Sequence, residues 1–143
     1  MDDLVPMLVS AVLGTALGWE RQAGHKAAGL RTHTLVCIGT TLFVLTAQHA
    51  ATGFATGWDP TRIVHGIVTG VGFLGAGSIL RHEGAVLGLT TAASIWTVAA
   101  IGAAVGVRAY PLAVIGTVLA LLVLRVYRMV DRWLARGTSE DDS

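Results

Sequence analysis

GVGFLGAGSILR, Gly70 to Arg81, decides how the chain is read. Its first six residues have the Gly-x-Gly-x-x-Gly spacing of a dinucleotide-binding loop. That motif needs a strand before the first glycine, a helix opening after the third and an acidic residue about 20 positions further on. Thr90 to Trp96, where the acid would stand, contains no Asp or Glu, and the run Ile63 to Leu80 around the motif contains no Asp, Glu, Lys or Arg. The nucleotide-loop reading fails, and no dinucleotide or other cofactor is expected. Read as a helix at about 100° per residue, Gly66, Gly70 and Gly77 share one face and Gly72 and Gly75 lie roughly opposite. Small residues four apart let helices approach closely in lipid. The spacing therefore predicts that this helix, the third in the chain, sits at the centre of a bundle.

The same device recurs outward from that stretch. Ser10, Gly14 and Gly18 repeat it in the first apolar run, Gly102 and Gly106 in the fourth, and Gly116 with Ala120 in the fifth. The five runs are Leu4 to Trp19, Thr34 to Thr52, Ile63 to Leu80, Val86 to Val107 and Tyr110 to Val126. Of 143 residues, 53% are hydrophobic and 13% charged, and the mean hydropathy is +0.66, which excludes an ordinary soluble enzyme. About 20 mostly apolar helical residues cross a bilayer core of about 30 Å. The expected fold is an all-α integral membrane protein, a glycine-packed bundle of about five transmembrane helices over residues 1–136, followed by a polar acidic tail, 137–143. The N-terminal MDDLVPM has no basic region and no cleavage site, so its apolar run reads as a retained helix.

The formal net charge of +1 conceals an asymmetry. Arg21, Lys26 and Arg31 follow the first run, Arg81 the third, and Arg125, Arg128, Arg132 and Arg136 the fifth; with alternating spans all lie on one side. The positive-inside rule puts that side in the cytoplasm, with the N-terminus outside and the C-terminus inside. Cys37, the single cysteine, falls within the second run and reads as a small buried apolar residue.

Two polar clusters are candidates for function. On the inner side Glu20, Arg21, Arg31, Arg81 and Glu83 come from two loops, and Thr90 opens the fourth helix with Thr91 and Ser94. Topological anchoring explains most such arginines; a pair of Glu20 with Arg31 or Arg81 is the sharper alternative. On the outer side Gln48, His49, Asp59, Arg62 and His65 flank one loop and suit a pH or cation sensor, although Asp59 followed by Pro60 also reads as an N-cap. None of the nine acids stands near the middle of a run, which weighs against a path for a hard cation needing carboxylate oxygens. No Ser, His and Asp arrangement, CxxC pair or His cluster supports catalysis, so no enzyme is expected, and nothing points to nucleic acid.

Taken together, ERQ at Glu20 to Gln22, AGLRTH at Ala28 to His33, DPTRI at Asp59 to Ile63, GVGFLGAGSI at Gly70 to Ile79, GLTTAASIW at Gly88 to Trp96 and AAIG at Ala99 to Gly102 closely resemble the MgtC/SapB family. The resemblance runs through the fifth span. It implies a multi-pass protein of the bacterial inner membrane, linked in the family to growth when magnesium is scarce and, in some pathogens, to survival inside host cells. A non-enzymatic regulator acting through another integral membrane protein or a second copy of itself is expected, with a Mg2+ or other cation channel or transporter as the alternative. Two departures stand out: better-known members carry a C-terminal ACT-like domain where this sequence stops at SEDDS, and they tend to have Asn where Thr90 stands.

Overall fold

Each apolar run becomes a helix in the computed structural model, which describes residues 2–53, 59–82 and 85–137. The helices are α1 (Leu4–Ala23), α2 (Leu30–Gly53), α3 (Pro60–Gly77), α4 (Leu89–Gly106) and α5 (Tyr110–Gly137). Between α3 and α4 runs an antiparallel hairpin, β1 (Leu80–His82) and β2 (Ala85–Leu87), with Leu80 opposite Leu87. The hairpin corrects an expectation of helix alone, and it shortens both runs beside it. At the end of α3 the Ser78 hydroxyl donates to the Gly75 carbonyl at 2.7 Å, closing the last turn. At the start of α4, Gly88 takes φ +90°, and a Cβ there would run into the Ser78 carbonyl. Only glycine adopts that conformation freely.

Among the described residues three helices, over Leu30–Ala51, Leu89–Gly106 and Tyr110–Val130, are long and apolar enough on their own to cross a membrane. Helix α1 ends in Glu20 and Arg21, and α3 opens with Arg62 amid many glycines, which lowers their apolar content. Leu8, Val12, Phe43, Phe73 and Leu119 lie exposed on the outside of the bundle. Water makes such a surface costly and lipid does not.

The central helix is α4, not α3. Half of the α4 span is buried, and α4 meets α1, α2, α3 and α5. It lies closest to α2. A Cβ on Gly106 would stand 2.6 Å from Val44 Cβ, and one on Gly102 would strike the Cys37 carbonyl. On the other side of α2, a Cβ on Gly14 would stand 2.8 Å from Cys37 Cβ and one on Gly18 2.6 Å from Leu30 Cα. Hydrogen bonds follow the same seams. Thr41 donates to the Gly102 carbonyl at 2.8 Å, Gln48 Nε2 to the Gly106 carbonyl at 3.3 Å, and the hydroxyls of Thr15 and Thr34 lie 3.0 Å apart.

The glycines of α3 behave differently from the expectation. No atom stands within 4 Å of a Cβ built on Gly66, Gly70, Gly72 or Gly77, and at Gly75 the nearest, Ala92 Cβ, is at an ordinary 3.7 Å. Periodicity shows that a face is small. It does not show that a neighbour lies against it. Leu at Gly102 or Gly106 should therefore abolish monodisperse protein in detergent, whereas Gly70→Leu should keep the wild-type yield and melting midpoint; loss at Gly70 equal to that at Gly102 would contradict this packing.

Candidate functional site

The residues ERQ, Glu20 to Gln22, form the last turn of α1, and each is placed by a different neighbour. Glu20 is 3% exposed; its Oε1 accepts from Arg128 Nη2 of α5, and its carbonyl accepts from the same nitrogen at 3.2 Å. Arg128 lies across Gly24, where any Cβ would strike its guanidinium. Gln22 Oε1 occupies the space that a Cβ on Gly29 would need. Gly29 thus makes room for a side chain of the motif, and Gly24 for the arginine that pairs with it. Arg21 is 2% exposed, with Nη1 3.9 Å from Glu20 Oε2. Its Nε and Nη2, and Glu20 Oε2, are buried without a hydrogen-bond partner among the described residues.

One turn into α2, fully buried His33 continues this polar layer. Its Nδ1 faces the Gly29 carbonyl at 2.9 Å and therefore carries a proton, and its Nε2 lies 3.0 Å from Ser94 Oγ of α4. The Ser94 hydroxyl also reaches the Thr91 carbonyl at 2.8 Å. At one end of the bundle α1 is therefore tied to α5 through Glu20 and Arg128, and α2 to α4 through His33 and Ser94.

The expected pair of Glu20 with Arg31 or Arg81 gives way to Glu20 with Arg128. Arg31 is exposed at the start of α2 and Arg81 exposed on β1, and neither guanidinium is held by another described residue. Glu83 lies outside the described residues. Thr90 is exposed at the start of α4 and lines, with Ser94 and Thr97, a cavity of about 310 Å³ between α4 and α5. Sequence reasoning counted Arg128 only as a topological charge. The available signal was Arg125, Arg128 and Arg132 at helical spacing, sharing one face toward the C-terminal end of α5.

At the opposite end the described contacts divide the expected outer cluster. His49 Nε2 lies 2.6 Å from Asp3 Oδ2, and Asp3 Oδ1 accepts from Arg108 Nη2 at 3.3 Å, joining the start of α1, the end of α2 and the α4–α5 turn. These groups are well exposed, so the network contributes little to stability. Asp59 caps α3, accepting from the Thr61 N–H at 2.9 Å and its hydroxyl at 2.6 Å, and these bonds hold its carboxyl below the ordinary value. Arg62 and His65 stand exposed on the following turns. Among the described residues no three His, Cys, Asp or Glu side chains gather as a metal centre would need.

An apolar bundle with a buried charged knot at one end and an exposed ionic network at the other is a membrane-protein architecture. The MgtC family model matches residues 7–133, and the chain belongs to that family. It is 43% identical over 134 residues to "Putative magnesium transporter YhiD" of Escherichia coli K12, an alignment covering 89% of this chain and 61% of that protein. It is 41% identical over 143 residues to "Protein SrpB" of Synechococcus elongatus, covering 92% and 79%, and 41% identical over 117 residues to "Protein MgtC" of Brucella suis, covering 82% and 48%. The chain thus spans about three fifths of YhiD and about half of MgtC. No solved structure matches it.

Removing Arg128 would leave Glu20 buried beside an incompletely paired Arg21. Arg128→Ala should cost on the order of 3 kcal/mol, the cost of breaking a buried pair, read as a lower melting midpoint in detergent. Glu20→Gln combined with Arg128→Gln should recover part of that loss, and additive losses in the double variant would argue against the pair.

Proposed function

We propose that the chain is a non-enzymatic regulator of the bacterial inner membrane, serving adaptation to low Mg2+ by contact with another integral membrane protein, and in a pathogen survival inside host cells. The observation that carries this reading is the division of its arginines. Arg21 and Arg128 are spent inside the bundle on Glu20, whereas Arg31 at the start of α2 and Arg81 on β1 stand exposed and remain available for contact. All five helices cross the membrane in this reading, with the Arg31 end in the cytoplasm and the N-terminus outside, as the distribution of basic residues favours. The acids Asp2, Asp3, Glu20 and Asp59 stand at helix ends or in turns and Asp131 follows the apolar span of α5 that ends at Val130, which argues against a carboxylate-lined cation path across the bilayer. The alternative, a magnesium channel or transporter, draws its support from the name of YhiD.

Two measurements test this. Purified protein in liposomes should pass no Mg2+ above empty vesicles, while low-magnesium growth should fall in Arg31→Lys and Arg81→Lys, which keep the charge but lose the planar fork of Arg. Saturable Mg2+ flux would defeat the regulator reading, and full growth of both variants would return these arginines to topology alone. For sidedness, Ala50→Cys in a Cys37→Ala background should be labelled from outside and Ala27→Cys only from the cytoplasm; external labelling of position 27 would reverse the orientation.

A further inference from the structure

Between α2 and α3 the bundle is open. A groove of about 720 Å³ runs there, walled by Leu35 and Phe43 on one side and Ile67 and Leu74 on the other. Its width comes from glycine: Gly39 on α2 and Gly66 and Gly70 on α3 line it, and nothing stands within 4 Å of a Cβ built on any of them. Along α2 the lining extends from Leu35 to Ala47, about 18 Å at 1.5 Å per residue. One leaflet of the hydrocarbon core is about 15 Å thick. The groove therefore has the length of an acyl chain in one leaflet.

The charge at one mouth specifies the rest of the occupant. Arg31 precedes Leu35 by four residues and so lies on the same face of α2, one turn beyond the groove. Arg81 follows the end of α3 by four residues, at the same end of the molecule. Both are exposed, and neither guanidinium is held by another described residue. The positive end of the α2 dipole lies at that mouth as well. Basic pockets between helices on the cytoplasmic side take anionic headgroups.

We infer that this groove is a binding site for one anionic phospholipid, with an acyl chain between α2 and α3 and its phosphate at Arg31 and Arg81. The site is independent of the regulator reading, because a lipid can occupy it whether or not a protein partner exists. It also gives the glycines of α3 a role that packing within the chain does not.

The test is native mass spectrometry of the full chain released from detergent after titration with phosphatidylglycerol, phosphatidylcholine of the same chains, or inorganic phosphate. Phosphatidylglycerol should be retained roughly thirtyfold over phosphatidylcholine, the scale of preference that two headgroup-level arginines supply, and phosphate alone should not be retained. Gly70→Leu should fill the groove and lose the retained lipid at an unchanged melting midpoint; Gly39→Leu, on the facing wall, should do the same and serves if Gly70→Leu does not fold. Arg31→Gln should lower the preference for phosphatidylglycerol. Equal retention of the two lipids would overturn the inference, as would retention unchanged in both glycine variants. Retention of free phosphate equal to that of lipid would show an ion site without an acyl chain. Dissociation of a dimer by Gly70→Leu with lipid retention intact would assign the face to a second copy instead.

Discussion

The close approach of α2 and α4 is the constraint on which the bundle depends. At Gly102 and Gly106 there is no room for even a methyl group, so the backbones meet where α2 presents Cys37, Thr41 and Val44. In lipid the hydrophobic effect does not drive helices together, and interhelical hydrogen bonds contribute about 0.6 kcal/mol each on average. The bonds from Thr41 and Gln48 to glycine carbonyls are thus minor next to the dispersion contact along the seam. They do fix its register. A carbonyl accepting a side-chain hydrogen bond at Gly102 and another at Gly106 cannot slip by one turn without losing both.

From that seam the molecule divides into a tight part and a loose one. Helix α1 seals the other side of α2 through Gly14 and Gly18, and α5 is tied in by Arg128. Helix α3 is held mainly by α4, with a groove of about 720 Å³ between it and α2 and a second cavity of about 360 Å³ toward the C-terminal half of α4. Interiors are ordinarily filled to crystal-like density. The open sides of α3 are therefore left without a neighbour from this chain, and the cap at Asp59 and the turn closed by Ser78 fix its ends more firmly than its faces.

Much of this was legible in the sequence, and the exceptions share a cause. Runs of apolar residues locate the helices because burial in lipid and backbone hydrogen bonding act along the chain. Asp59 with Pro60 was readable as a cap for the same reason. Gly14, Gly18, Gly102 and Gly106 were picked out as packing positions, and they do lie against neighbours; Gly66, Gly70, Gly72 and Gly77 have the same spacing and do not. The difference lies in which helix passes opposite, and nothing local encodes that. Glu20 shows the same limit. Its burial with Arg128 joins residues 108 positions apart, whereas the nearer arginines, 31 and 81, looked better placed in sequence and point elsewhere. Of the hairpin only Leu80, Val86 and Leu87 fall within the apolar runs; Arg81, His82 and Ala85 lie between them, and strands of three residues are too short to show a period of two.

The charged knot follows from where it sits. A carboxylate and two guanidinium groups in the middle of apolar helices would be costly, but Glu20 stands in the last turn of α1 and Arg128 toward the C-terminal end of α5. Breaking such a pair costs more than forming it contributes, so its main effect is on specificity. Arg128 can satisfy both the side chain and the carbonyl of Glu20 only if α5 stands at one height against α1, and Gly24 must be bare for the guanidinium to lie there. Helix α5 is otherwise a smooth apolar rod with little of its span buried, and its dispersion contacts would change little if it slid by a turn. The Glu20 to Arg128 pair supplies the register that apolar packing leaves undetermined, as the hydrogen bonds to Gly102 and Gly106 do for α2.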